Sequence, residues 1–499
     1  MNMAKWSRRL KFLIAFLIPV AGVMICNNGL DNDSWYILAE GREIVENGVY
    51  YEDQLSMHEG LNVTVQNYGF AAIFYLLYSA LGGTGIYLIM LILNIVLCYL
   101  IYKICMLISH KNENLSLLLM ILTDLLLSYG YVVTRAQMVS YIIMMLVIYI
   151  LELYAREGKK KSLWWIPILS LVQINLHASL WPMILIVMAV YIIDGFKQPK
   201  LHYKGYKIKP LILVGLISFA VGFLNPYGFK MMTFILTSYG VPEANNYINE
   251  LSSFSLTTGY NILLYATIMA VLILYIFGKN RNIRLRYLLL LFGFLALGLN
   301  TVKGMSHLIL VLLFPLAEVY SGIKMNNPRW RKLRFSGAIW AGVLALVVVV
   351  ATTTIIIPNT NARGPSDVMI YALDALDEKV GDMDKSKLKV YGDYDEGGYV
   401  EYRGYKSYVD PRMEVFLKAN NGKEDIFSEF YSLQHGNLDK AEFLKKYDFD
   451  FLVIREYDKL YNSVDENEYE LVYHDDEAAE YDGVKVYRKK TNEEGYIKI

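Results

Sequence analysis

The sequence predicts a polytopic α-helical membrane protein of about 11 spans, followed by a C-terminal α/β domain outside the cytoplasm. Three observations predict it. Apolar runs of roughly 16 to 23 residues, the length a bilayer-spanning helix needs, recur from the N-terminus to about Pro358. Short basic segments punctuate those runs. The composition then turns polar and acidic for about 140 residues, an ordinary size for one domain. The chain of 499 residues has no net charge and is 55% hydrophobic. That balance hides a split: about 32 acidic and 20 basic residues follow Pro358, and the apolar part is basic by a similar margin.

The basic segments orient the spans, because Lys and Arg accumulate in cytoplasmic loops. They fall at 5–11, 103–111, 156–161, 197–209, 279–286 and 324–334. With all of them cytoplasmic, the spans read 12–26, 85–107, 115–132, 138–154, 163–175, 180–193, 210–224, 260–277, 285–299, 305–321 and 336–357. The N-terminus is then cytoplasmic and the tail extracytoplasmic. The first run reads as an uncleaved anchor, since no small-x-small cleavage site precedes Asp31. Residues 68–81 are apolar but short for a span, and a crossing there would flip every later loop. They read as an interfacial helix in the first external loop, 27–84, with a short tilted span as the alternative. The domain limits are therefore 1–358, a linker at 359–366, and the tail domain at 367–499.

The tail alternates elements. Residues 368–380 are helical in period, with Ile370, Leu373, Leu376 and Val380 on one face. Strands are expected at 388–391, 399–402, 407–409 and 451–455, a helix at 441–447, and a closing hairpin from 469–474 and 484–488. Asp393-Tyr-Asp395-Glu396-Gly-Gly and Asp410-Pro411-Arg412 are polar enough to bind a ligand and equally suited to tight turns with internal ion pairs. Cys26, Cys98 and Cys105 lie in apolar spans and read as buried hydrophobes, not disulfides or metal ligands.

The candidate chemistry collects in the external turns. Asp31-Asn32-Asp33 follows the first span. A carboxylate beside an apolar cavity can take a proton from a hydroxyl, which makes Asp33 a candidate general base with Asp31 in support. Either residue also suits the N-cap of a helix running to about Glu46. Arg135, Lys303 and His307 are the cationic candidates. A charge at the hydrocarbon boundary is costly unless it is paired or lines a wet cavity, and these could hold a phosphate that leaves as an anion. Arg135 could instead snorkel to the interface. His177 sits in Asn175-Leu-His177-Ala-Ser179 and could orient a ligand or serve as a hydrogen-bonded structural residue. Glu250 is a candidate contact for an acceptor or cation, or simply a solvated carboxylate. Asn225-Pro226-Tyr227-Gly228 reads first as a turn.

Other classes lose support. No phosphate-binding loop, dinucleotide fingerprint, Gly-x-Ser-x-Gly or His-Glu-x-x-His occurs. The seven histidines are scattered, so no cofactor is predicted and no residue pattern points to a divalent metal. An acidic tail would not seek nucleic acid. A transporter would need charge near the midplane and matching broken helices, whereas Asp124 is the main mid-span exception and no internal repeat is evident.

Together these motifs resemble the C-type (GT-C) glycosyltransferase superfamily, which holds the protein O-mannosyltransferases and the lipid A aminoarabinose transferase. The resemblance covers most of the chain. It rests on Asp33-Ser-Trp-Tyr-Ile-Leu-Ala-Glu-Gly41 with the apolar helix from Tyr68, on Asn175-Leu-His177-Ala-Ser179, Asn225-Pro-Tyr-Gly228 and Lys303-Gly-Met-Ser-His307, and on a tail with Asp395-Glu-Gly-Gly398-Tyr and Val409-Asp-Pro-Arg412. It departs in two places. The first-loop acids are spaced by Asn32 instead of adjacent, and Ala136 stands where Pro is expected. The resemblance implies a bacterial plasma-membrane transferase of the cell envelope. A sugar would arrive on a polyprenyl phosphate, Asp33 would activate an acceptor hydroxyl, and basic residues would hold the departing lipid phosphate. The partners implied are the polyprenyl-phosphate sugar, membrane lipids and an envelope glycan, lipid or protein acceptor. The competing readings are an inactive scaffold in envelope assembly and a transporter or flippase.

Overall fold

The computed structural model describes residues 17, 19, 23, 30–128, 130–196, 205–238, 246–253, 259–276, 284–321, 367–475 and 483–490. The expected spans at 12–26 and 336–357, with Cys26 and the linker at 359–366, lie wholly or almost wholly outside the described residues. The main helices are α1 (Asn32–Asn47), α2 (Tyr68–Ile108), α3 (Glu113–Leu127), α4 (Gln137–Glu157), α5 (Trp165–Leu176), α6 (Pro182–Asp194), α7 (Lys209–Ala220), α8 (Gly259–Ile276), α9 (Leu285–Asn300), α10 (Met305–Leu312) and α11 (Phe314–Val319). In the tail come α12 (Asp367–Val380), α13 (Gly397–Tyr402), α14 (Ile426–Gln434) and α15 (Lys440–Tyr447), with strands β1 (Lys389–Tyr391), β2 (Lys406–Ser407), β3 (Phe451–Arg455), β4 (Tyr469–His474) and β5 (Val484–Lys489). These residues form two compact units. One holds those within Met1–Asn28, Thr84–Met232 and Ile248–Asn361, the other those within Gly29–Gly83, Thr233–Tyr247 and Ala362–Ile499.

The first unit is helical. Among the described residues three stretches, Tyr68–Ile108, Gln137–Glu157 and Val302–Val319, are long and apolar enough to cross a membrane, and four shorter apolar helices accompany them. α10 is buried at every position, as a helix surrounded by other helices must be. The outer helices expose large apolar side chains, such as Leu88, Ile92 and Tyr99 on α2 and Leu213, Leu216 and Phe219 on α7. Apolar inside and outside alike, these helices suit a lipid surround. α2 breaks at Gly82, whose φ of 63° interrupts the helical backbone. The expected boundary between the 68–81 helix and the following span falls at that residue.

Besides the mid-span Asp124, charged side chains at the ends of the apolar runs pair with one another. Glu152, Asp194, Arg286 and Glu318 are buried beside Arg156. Arg286 Nε and Nη1 meet Glu152 Oε1 at 2.6 Å and Asp194 Oδ2 at 2.8 Å. Arg156 Nε meets Glu152 Oε2 at 2.7 Å, and its Nη2 pairs with Glu318. Tyr191 and Tyr287 donate to the two oxygens of Glu152. The charges escape notice in sequence because each sits at the end of an apolar run, and folding brings them together. Asp124 is also paired, accepting from Asn94 and Cys98.

The second unit joins the first-loop segment to the tail. Its five-stranded sheet has the order β2-β1-β3-β5-β4. β1 runs parallel to β2 and β3, and β5 is antiparallel to β3 and β4. The closing hairpin, the 451–455 strand and the helices at 368–380 and 441–447 stand where the sequence puts them. The strand expected at 399–402 is instead helix α13. It starts at Gly397-Gly398 and lies directly on α1: a Cβ on Gly398 would stand 2.9 Å from the Tyr36 nitrogen. Helical spacing then sets Tyr399 and Tyr402 on one face, with ring centroids 4.9 and 5.0 Å from that of Trp35. α14 went unforeseen, though Phe427, Phe430 and Leu433 pack its buried face.

Candidate functional site

Three turns of the first unit converge. Arg135 precedes α4, Glu250 sits in a 3-10 turn at Asn249–Leu251, and Lys303 sits in another at Val302–Gly304. Thr301 caps the last turn by accepting from the Gly304 nitrogen at 3.1 Å. The Val302 nitrogen donates to the Ser252 carbonyl, and the Tyr131 hydroxyl donates to the Val302 carbonyl. These bonds tie the turns together and bring three sequence-predicted charges into contact. Arg135 Nη1 meets Glu250 Oε1 at 2.9 Å, and Lys303 Nζ approaches Glu250 Oε2 at 3.4 Å. Arg135, with burial opposing and Lys303 assisting, holds the Glu250 carboxyl down to about 2. Glu250 is therefore an ion-pair partner of both cations and not simply solvated, although its side chain is 45% exposed.

The two histidines flank this triad. His307, at the start of α10, is buried against Phe294 and Tyr141, with centroids 5.9 and 5.8 Å away. Its Nδ1 shares a hydrogen bond with Ser306 Oγ at 3.2 Å. His177 lies between α5 and α6, and its Nδ1 stands 2.8 Å from Ser140 Oγ on α4. Gln173 fixes this geometry by donating to both Ser140 Oγ and the His177 carbonyl. Burial lowers His177 to about 3, and the positive fields of Lys303 and His307 add to the effect, so the ring is neutral near pH 7. Asn175 and Asn225 have structural partners. Asn175 donates to the Leu224 carbonyl, and Asn225 closes its own turn through the Tyr227 nitrogen and the Gly228 carbonyl.

Asp31 and Asp33 belong to the second unit. Asp31 is the N-cap of α1: its Oδ1 accepts from the Ser34 nitrogen at 2.9 Å, and Ser34 Oγ accepts from the Asp31 nitrogen. That reciprocal capping box occupies Asp31. Asp33 stands in the first turn of α1, favoured by the helix dipole, and its charge is felt by Tyr394. In the same unit Arg412, which the sequence places in a possible turn, is buried among four carboxylates. It meets Asp410 at 2.7 Å, Asp53 at 2.7 Å, Glu401 at 3.3 Å and Glu40 at 3.8 Å. The Asp410-Pro-Arg412 segment thus holds an internal ion pair, joined by first-loop residues that no local spacing reveals. Among the described residues no group of three or more His, Cys, Asp or Glu is arranged to hold a metal ion.

No protein-family model matches the chain, and no curated protein matches it in sequence. Solved structures do match in fold. The Archaeoglobus fulgidus oligosaccharyltransferase AglB, in complex with an inhibitory peptide and a dolichol-phosphate, aligns with a TM-score of 0.61 at 11% identity, over 90% of this chain and 69% of that one. The apo form of the A. fulgidus oligosaccharyltransferase aligns over the same shares, with a TM-score of 0.58 at 11% identity. ArnT from Cupriavidus metallidurans, bound to undecaprenyl phosphate, aligns over 97% of this chain and 98% of that one, with a TM-score of 0.50 at 12% identity. This chain therefore shares the fold of these solved structures.

Proposed function

We propose that the protein transfers a glycosyl group from a polyprenyl-phosphate donor to a hydroxyl of an envelope glycan, lipid or protein, at the outer face of a bacterial plasma membrane. The observation that carries the reading is the convergence of Arg135 and Lys303 on one carboxylate, beside His307 and His177, at the ends of apolar helices. Such a cluster suits a lipid-borne phosphate, and the fold is one in which solved relatives hold dolichol phosphate or undecaprenyl phosphate. In the reaction the acceptor oxygen bonds to the sugar's anomeric carbon, and the bond from that carbon to the phosphate oxygen breaks. Asp33 takes the acceptor's proton, and the polyprenyl phosphate leaves with the electron pair. Arg135 and Lys303 stabilise that charge where it develops. Neutral His177 orients the donor, His307 sits beside the phosphate, and the tail engages the acceptor. Asp31 supports Asp33 by capping its helix.

A second reading, an inactive scaffold, is favoured by one observation: Glu250 already satisfies both cations. The two separate in an assay of purified protein in lipid with a panel of labelled polyprenyl-phosphate sugars. Transfer by the wild type should fall at least a hundredfold in Asp33→Asn and comparably in Lys303→Met, with unchanged melting. Donor binding with no turnover in any variant supports the scaffold and sinks the transferase.

A further inference from the structure

A second basic cluster lies at the other end of the same helices. A cavity of about 320 Å³ opens between the end of α2, the end of α4 and the start of α9. Its charged lining is His110, Lys111, Arg156, Arg284 and Arg286, against one carboxylate, Glu157. Arg286 is buried and its Nε, Nη1 and Nη2 are all engaged by Glu152, Asp194 and Tyr287, so it contributes positive field and no contact. Arg156 is held in place by Glu152, Glu318 and Tyr287 through Nε and Nη2, not Nη1. His110 and Lys111 both adopt left-handed backbone, at φ 51° and 68°, in the turn that ends α2. Glycine is the usual residue there, yet this turn carries two basic side chains to the rim.

The position identifies the ligand's setting. α4 has 21 residues and so runs about 30 Å, the thickness of a bilayer's hydrocarbon core. Arg135 precedes its start and Arg156 stands at its end, which puts the two basic clusters at opposite membrane edges. Trp164 and Trp165, 52% and 61% exposed just beyond α4, are the amphipathic rings expected at an interface. Basic pockets between helices on the face rich in Lys and Arg suit phosphate-bearing lipid heads, and the volume fits a glycerophosphate. We propose that this cavity binds the phosphate of an anionic lipid headgroup from the cytoplasmic leaflet, apart from the Arg135–Lys303 site.

The test uses the full chain in neutral detergent. Native mass spectrometry would measure retention of phosphatidylglycerol against phosphatidylcholine, and melting would be followed with inorganic phosphate alone. Wild type should retain phosphatidylglycerol at least tenfold better. The variant His110→Gly with Lys111→Gly should lose that preference while melting no lower in phosphatidylcholine, because glycine relieves the left-handed turn. Arg284→Gln gives a second loss without touching that turn. Equal retention of the two lipids by wild type, or an unchanged preference in both variants, overturns the proposal. Stabilisation by inorganic phosphate equal to that by the lipid would assign the cavity to a free anion and overturn the lipid source.

Discussion

At the residue scale the informative pairing is Glu250 between Arg135 and Lys303. Arg135 and Lys303 are legible in sequence because a cation beside an apolar run needs an explanation. Their shared partner is not, since Glu250 stands 115 residues from Arg135 and looks like any loop carboxylate. The arrangement has a testable cost. On the proposed reading an incoming lipid phosphate competes with Glu250, whose carboxyl Arg135 and Lys303 hold down at about 2. Glu250→Gln removes the competitor and leaves two cations. Undecaprenyl phosphate should then bind about tenfold tighter, or ~1.4 kcal/mol, with a steeper salt dependence. Titration of the purified variant with that lipid checks this. Weaker binding would mean that Glu250 positions the cations and does not compete.

At the element scale, long helices are legible in the sequence and short segments are not. Long apolar periods locate α4, α8 and α9 to within a few residues. A six-residue run such as Gly397–Tyr402 carries too little pattern to separate strand from helix, and its contact with α1, some 360 residues earlier, decides the matter. Close helix contact also governs Gly41 on α1. A Cβ there would stand 2.1 Å from the Ala71 carbonyl oxygen on the first half of α2. Backbone cannot yield as a side chain does, so Gly41→Ala should cost about 1–3 kcal/mol. Gly83, beside the kink in α2, has nothing within 4 Å of the equivalent position. Gly83→Ala should be neutral or slightly stabilising. Thermal unfolding of the two variants beside wild type checks the contrast, and equal effects would refute the packing argument.

At the scale of the whole molecule, the division into an apolar helical part and an acidic tail is written in composition, but the partnership of first loop and tail is not. That partnership is sealed by Arg412, which joins Asp53 and Glu40 of the loop to Asp410 and Glu401 of the tail. One cation among four buried acids cannot balance them all, so protons must. Burial pushes Glu40 up from 4.5 to about 8 against the pull of Arg412, with Glu414, Asp410 and Asp53 adding to the rise. Burial, then Asp410, raises Glu401 as well. Between pH 4.5 and 8 the folded chain keeps the Glu40 proton that the unfolded chain has lost. Stability therefore falls as pH rises across that window, by up to about 1.4 kcal/mol per pH unit for this group. Asp53 opposes its burial through Arg412 and Ser56 and lies below its ordinary 3.8, outside the window. His58, lowered by burial, works in the opposite sense below its ordinary 6.5, so the raw slope is a sum. Glu40→Gln isolates the carboxyl, because the amide carries no proton to lose. Chemical unfolding between pH 5 and 8 should show the variant gaining on wild type steadily as pH rises. Parallel curves would show that Glu40 is ionised in the folded protein and that the cluster is balanced by charge instead of protons.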